Sequence, residues 1–147
     1  MSIKKVAIIL SVVFCVFSFA FADADSEKGT LELRIDGFGN NLGKARVALD
    51  NSEESYKSRK KAWRSAKEKI ANRNCTVFFK GLPYGEYAIK VFHDKNDNKK
   101  LDTNFLGIPN EAFGFSNNAR GTFGPPAFEK AKFLFSKKNR IHRITVK

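Results

Sequence analysis

The stretch that decides the fold covers residues 81–102 and reads GLPYGEYAIKVFHDKNDNKKLD. Its first five residues combine glycine and proline in the manner of a tight turn. Tyr87, Ile89 and Val91 then alternate with residues that are themselves partly apolar. A segment with apolar residues on both faces is typical of a buried strand, so we predict a central strand over 86–93. The polar run that follows, rich in Asp and Asn, predicts a loop.

The segments on either side of this stretch carry further β signals. Leu31, Leu33 and Ile35 alternate with polar residues, which predicts a half-buried strand over 30–36. Other strands are predicted over 45–49, 75–80, 127–135 and 140–147. Residues 51–74 allow two interpretations, a short helix or a long loop that ends in a strand near 68–72. Short strands separated by turn signals indicate an all-β sandwich or barrel.

The N-terminal segment has the three parts of a secretory signal peptide. Lys4 and Lys5 precede an uncharged apolar run over 6–21, and Ala20 and Ala22 place small residues before Asp23. A membrane anchor is the alternative, but the run is shorter than the roughly twenty residues that span a bilayer. We therefore expect cleavage after Ala22, export to the periplasm or the exterior, and a mature form that does not span a membrane.

The predicted organisation is a signal peptide over 1–22, a tail over 23–29 and a single β-sandwich domain over 30–147. The chain carries 27 Lys and Arg against 15 Asp and Glu, a formal net charge of +12. Removing residues 1–22 takes away two lysines and leaves +10. A basic surface outside the cytoplasm favours anionic cell-envelope components as partners. A solvated basic surface without a dedicated partner is the alternative.

The loop after the central strand has the spacing of a calcium-binding loop. Side-chain oxygens fall at the first, third, fifth and ninth positions of such a loop, which are Asp94, Asn96, Asn98 and Asp102. The carbonyl of Lys100 stands at the seventh position, and Glu111 or Asp97 is a candidate for completing the site. Calcium takes six to eight oxygen ligands, so this pattern predicts a calcium site.

Two departures favour a different interpretation of the same loop. Lys99 stands where the sharp turn of an EF-hand has Gly, and Phe105 stands where it has a bidentate Glu. The flanking segments are predicted strands rather than helices. The alternative is a turn in which Asp and Asn side chains accept hydrogen bonds from nearby backbone amides.

The sequence offers no complete catalytic constellation. Cys75 lies in an apolar strand, which predicts a buried structural thiol, and Ser116 lacks a nucleophile elbow. His93 with the loop carboxylates would serve an envelope-polymer hydrolase, which we keep as an alternative. A second alternative is a basic protein that binds anionic polymers, with Tyr56 and Trp63 beside the basic residues of 57–73. Specific nucleic-acid recognition is not expected. We therefore predict a non-enzymatic module.

Residues 81–118, with the GPPAF segment at 124–128, closely resemble the bacterial family called domain of unknown function 2141. Its members are short exported proteins with a GLPPGxYA turn, an HDxNxNxxLD loop and a GIPxExxGFSNN segment. The resemblance implies a small β-sandwich of immunoglobulin-like or transthyretin-like type and no established activity. Here Tyr84 replaces a Pro of the turn, and Lys99 replaces a frequent Gly of the loop.

The residues of the last motif suggest an ordered loop at one end of the sheet. Ile108, Phe113 and Phe115 have the apolar side chains needed to fix the loop onto the sandwich. Glu111 and Asn117 are expected to hydrogen-bond back toward the Asp/Asn turn. We therefore expect a cap that either binds a ligand or closes an open end of the fold.

Overall fold

The computed structural model describes residues 27–58 and 61–147, and these form short strands joined by ordered loops. The predicted signal peptide over 1–22 and its cleavage at Ala22 lie outside the described residues. The elements in chain order are β1 (Lys28–Asp36), β2 (Lys44–Asp50), α1 (Glu53–Lys57), β3 (Arg64–Lys69), β4 (Cys75–Pro83), β5 (Gly85–Asp94), β6 (Phe113–Phe115), a 3-10 turn (Ser116–Asn118), α2 (Phe128–Ala131), β7 (Phe133–Phe135) and β8 (Asn139–Thr145).

Two sheets make up the sandwich. One has the order β4-β1-β8, in which β1 is antiparallel to β4 and parallel to β8. The other has the order β3-β2-β5-β6, and β7 also pairs with β5. The strand β5 thus lies centrally, as its apolar pattern predicts. The predicted all-β sandwich is confirmed.

The core between the sheets comes from alternate residues of their strands. Leu31, Leu33 and Ile35 of β1 are almost completely buried and belong to the same cluster as Ile89 and Val91 of β5. Ala88 of β5 joins a second, smaller cluster that includes Tyr56, Phe115, Phe128 and Ala131. Both faces of β5 are therefore covered, which explains why its sequence is apolar on both.

The predicted strand over 127–135 is wrong in its first part, where the chain forms α2 instead. Phe128 and Ala131 lie three residues apart and are both buried. One helical turn brings such residues to the same face, whereas a strand would place them on opposite faces. Both interpretations of residues 51–74 are partly right, because the segment contains α1, N-capped by Ser52, and the strand β3.

The C-terminal segment joins the two sheets. After β8, the Val146 N–H donates to the Asp36 carbonyl at 2.9 Å. Lys147 and Phe113 exchange two backbone hydrogen bonds of 3.0 Å. This pairing fixes β6, and with it the polar loop that precedes it. In the described part of the chain, no helix has the length and apolar character needed to cross a membrane.

Candidate functional site

Asp94 organises the turn at the end of β5. Its side chain is fully buried, and its Oδ1 accepts the Asn98 N–H at 3.0 Å. Its Oδ2 accepts the Lys99 N–H at 3.0 Å and a short charged hydrogen bond from the Arg46 guanidinium. The carboxylate thus satisfies two turn amides while the arginine balances its charge, so Asp94 holds the turn closed.

Asp102 and Glu111 extend this network. The Asp102 carboxylate accepts the side-chain amides of Asn96 and Asn98, each at 2.8 Å. The Glu111 carboxylate accepts the Lys95 N–H at 2.8 Å and the Asp102 N–H at 3.0 Å. With Asp94 counted, all six carboxylate oxygens have a donor in the protein. We call residues 94–102 together with Glu111 the Asx cap.

A basic pair from β2 completes the cap. Arg46 contacts Asp94 and also donates to Asp97 at 2.7 Å, and Lys44 contacts Asp97 at 2.5 Å. The hydrogen bond from Lys44 is the main reason that the pKa of Asp97 is lowered. The sequence pattern did not reveal Arg46, because Arg46 lies 48 positions before Asp94 and on another strand.

The predicted metal ligands are brought together, but they contact one another. The Asx cap contains Asp94, Asn96, Asn98, Asp102 and Glu111, and the Lys100 N–H donates to Asn98 at 2.8 Å. Across residues 27–58 and 61–147, no three His, Cys, Asp or Glu side chains are grouped as a metal centre. The carboxylate oxygens of the cap accept hydrogen bonds from protein donors, and the calcium site stays a prediction.

His93 lies beneath the cap and faces the interior. It is fully buried, its Nε2 lies 2.8 Å from the Leu42 carbonyl oxygen, and Phe38 packs edge-on at 5.2 Å between ring centres. Gly43 is required here, because its φ is +63° and a Cβ would lie 1.9 Å from the Asp94 carbonyl oxygen. The loop before β2 therefore packs directly on the base of the cap and covers His93.

The Ser-Asn-Asn sequence after β6 links β5 and α2. The buried Ser116 hydroxyl accepts the Ile89 N–H at 2.8 Å and donates to the Ala131 carbonyl at 2.5 Å. The Asn117 side-chain amide donates to carbonyls at the end of α2, the closest being that of Lys132 at 2.8 Å. Ser116 is therefore a structural residue. The expectation that Asn117 hydrogen-bonds to the Asp/Asn turn is wrong, because its side-chain amide donates to the carbonyls at the end of α2 instead.

A short hairpin, residues 103–109, projects from the Asx cap, and we call it the tip. Asn104 closes the tip with two backbone hydrogen bonds. Its N–H donates to the Ile108 carbonyl at 2.8 Å, and its carbonyl accepts the Gly107 N–H at 2.9 Å. Phe105 is 95% exposed, Leu106 68% and Ile108 56%. Ile108 therefore does not fix the loop onto the sandwich, whereas Phe115 is buried as expected. The hairpin backbone turns these side chains outward.

The remaining candidate residues lie outside this site. Tyr56 is buried, and burial is the main cause that raises its pKa to about 12, so its ring is not available for stacking on a nucleobase. Trp63 is partly exposed and packs against Tyr87. Cys75 is buried as predicted, and burial raises the pKa of its thiol to about 12.

The outer face of the three-stranded sheet is basic. Arg34 of β1 lies opposite Arg143 of β8 in the parallel register. Together with Asn74 and Thr76 they line an open hollow of about 250 Å³. Asp36 also lines this hollow and Arg34 pairs with Glu32 at 2.6 Å, so the positive charge there is partly neutralised.

These features define a small, basic, all-β sandwich with a polar loop ordered by Asp, Asn and Glu side chains. The family can now be named. The chain belongs to domain of unknown function 2141, described as an uncharacterized protein conserved in bacteria, whose model matches residues 33–143. No curated protein and no solved structure matches the chain. The immunoglobulin-like or transthyretin-like subtype therefore stays a prediction.

Proposed function

We propose that the protein is an exported, non-catalytic module that binds anionic components of the bacterial cell envelope through the Asx cap and the tip. The observation that carries the proposal is that every oxygen of the cap carboxylates has a hydrogen-bond donor within the protein. All six oxygens of Asp94, Asp102 and Glu111 accept hydrogen bonds from the protein. Such a network holds a loop in one conformation, which is what a recognition surface requires.

The hydrolase alternative requires the same carboxylates to be accessible to a substrate. A general acid or base must reach the proton that it transfers, and a nucleophile must reach the substrate. Asp94 is fully buried and Glu111 is 5% exposed, and both are bonded to loop amides. His93 is buried as well. These contacts favour a scaffolding role over a catalytic one.

Charge supports an anionic partner. Lys95, Lys99 and Lys100 are exposed on the surface of the cap, next to the tip. Asp97 on the same turn is already paired with Lys44 and Arg46. The predicted signal peptide supports the compartment, because export would place this basic surface where anionic lipids and glycans of the envelope are accessible.

Fractionation and binding to isolated envelopes test the proposal. We expect the exported protein to begin at Asp23 by mass spectrometry and to bind envelopes in a manner that weakens with salt. The double variant Lys99→Gln/Lys100→Gln should bind more weakly. Lys137→Gln/Lys138→Gln is the matched control, because these exposed lysines follow β7, which pairs with the opposite end of β5.

Three results would contradict the proposal. They are retention of the uncleaved chain in the cytoplasm, absence of envelope binding, and equal weakening by both lysine pairs. Hydrolysis of an isolated envelope polymer that is lost in Asp102→Asn would instead establish the hydrolase.

A further inference from the structure

The tip presents apolar side chains that the fold does not use. Phe105 is 95% exposed, Leu106 68% and Ile108 56%, and all three lie within one hairpin. Single exposed apolar residues are ordinary, but a contiguous exposed apolar group marks an interaction site. The Asx cap holds the base of this hairpin. Asp102, which directly precedes the hairpin, accepts hydrogen bonds from the side-chain amides of Asn96 and Asn98.

Most backbone N–H groups of the tip have hydrogen-bond partners within the hairpin, which favours transfer of the tip from water into an apolar medium. Asn104 donates its N–H to Ile108, and its carbonyl accepts the Gly107 N–H. Its side-chain oxygen accepts the N–H groups of Leu106 at 2.9 Å and Ile108 at 3.0 Å. Four of the five N–H groups from 104 to 108 are thus bonded within the hairpin. A polar group without a partner is costly to transfer into an apolar medium, and for these four N–H groups that cost is reduced.

The shape and charge of the site favour a lipid surface over a protein groove. A side chain that is 95% exposed at the end of a narrow hairpin offers no pocket of its own. Lys99 and Lys100 stand within six residues of Phe105 and are exposed. Apolar residues at a tip, with lysines behind them, match the acyl region and the anionic headgroups of a bilayer.

We propose that the tip inserts Phe105, Leu106 and Ile108 into the interfacial region of an anionic bilayer, with the cap lysines at the headgroups. The inference rests on the proposed function, because it names the anionic envelope partner as a lipid surface. The Asx cap then acts as the rigid base that sets the angle of insertion.

Vesicle binding by the exported protein tests this inference. Mass spectrometry first establishes that the apolar residues 6–21 are absent and do not contribute. We expect binding to vesicles of phosphatidylcholine with phosphatidylglycerol, little binding to phosphatidylcholine alone, and weakening with salt. Phe105→Ser/Leu106→Ser should weaken binding by about tenfold or more, because two apolar side chains are lost. Leu134→Ser is the matched control, because Leu134 is 56% exposed and pairs with Glu86 at the far end of β5.

A fluorescence measurement gives a direct reading of insertion. Tryptophan introduced by Phe105→Trp should be quenched by brominated lipids, and the parent chain with only Trp63 gives the background. Equal vesicle binding by the tip variant and the parent would overturn the inference, as would an unquenched tryptophan at 105. Concentration-dependent self-association that is lost in Phe105→Ser, without vesicle binding, would assign the tip to a contact between copies.

The two proposals can fail separately. Binding to isolated envelopes without binding to anionic vesicles would overturn the lipid inference and leave the proposed function intact. Absence of binding to both would overturn both.

Discussion

The Oε2 atom of Glu111 lies 3.0 Å from the backbone nitrogen of Asp102 and accepts its hydrogen. The other oxygen of the same carboxylate accepts the Lys95 N–H. One buried side chain thus connects the beginning and the end of the Asx cap. The acidic residue of the GIPxExxGFSNN segment therefore has a clear structural role, which is to hold the loop that precedes it in the chain.

Glu111→Gln should destabilise the fold. The substitution replaces one acceptor oxygen with an NH₂ group, which must face a backbone N–H of Lys95 or Asp102. Leaving a buried donor without an acceptor costs about 1–3 kcal/mol, measurable as a lower free energy of unfolding in urea. Glu129→Gln is the control, since the Glu129 side chain is 71% exposed. Equal stability of Glu111→Gln and the parent would contradict the role assigned to Glu111.

Calcium should leave the melting temperature of the protein unchanged. Each cap carboxylate already accepts hydrogen bonds from the protein, and Arg46 balances the charge of Asp94, so the cap is ordered without an ion. The measurement is thermal unfolding with millimolar calcium, with chelator, and with magnesium as the salt control. A rise specific to calcium, abolished by Asp102→Asn, would establish the predicted calcium site, because a ligand that binds only the folded state raises its stability.

Ser116→Ala should lower stability without affecting binding to envelopes. The change leaves the Ile89 N–H and the Ala131 carbonyl without their bonds to the hydroxyl in a buried position. We expect a loss of about 1–3 kcal/mol in the free energy of unfolding. The control is Ser136→Ala, which alters an exposed serine. Lost envelope binding in a folded Ser116→Ala protein would indicate that the serine contacts a ligand.

Stability should fall as the pH is lowered from about 6.5 to about 4, in part because of His142. Burial, aided by the charge of Arg140, lowers the pKa of His142 to about 4 from its ordinary 6.5. Between these values the unfolded chain binds the proton and the folded chain does not, so stability is present at higher pH and is lost on acidification. Its Nε2 also accepts the Asn117 N–H at 3.3 Å.

Urea unfolding at several pH values checks this prediction. His142→Gln retains an acceptor but cannot titrate. Over the same pH interval, the free energy of unfolding of the variant should therefore fall by about 2 kcal/mol less than that of the parent. An unchanged pH dependence in the variant would show that other groups cause the acid sensitivity.

Cys75 should resist alkylation in the folded protein. A thiol whose pKa is about 12 holds about a thousandfold less thiolate than one at its ordinary value of 9.0, and the thiolate is the reactive form. We expect native alkylation to be at least about a hundredfold slower than alkylation in urea, followed by mass spectrometry. A native rate close to the unfolded rate would show that the Cys75 region opens readily.

The strands with clear alternation could be predicted from the sequence. The pattern at Leu31, Leu33 and Ile35 corresponds to β1, and the two-faced apolar pattern after Gly85 corresponds to β5. The three residues of β6 are too few to show a period, so that strand could not be predicted. The parallel pairing of β1 with β8 could not be predicted either, because it depends on contacts between residues that are distant in sequence.

The candidate site could be predicted only in its local part. The spacing from Asp94 to Asp102 correctly marked an ordered Asp/Asn loop, because those contacts are close in sequence. Arg46 comes from another strand, and its role follows from the pairing of β2 with β5. The exposure of Ile108 depends on the hairpin closed by Asn104. Hydrophobic side chains alone do not reveal whether they face the core or the solvent.

The parallel neighbours β1 and β8 come from opposite ends of the described chain. The three-stranded sheet therefore cannot be completed until β8 has been made, and such distant pairings form slowly. The strands of the other sheet pair without β8, so we expect the three-stranded sheet to close last. Under the proposed export, a chain whose sheet is still open would pass a narrow translocation channel before folding is complete.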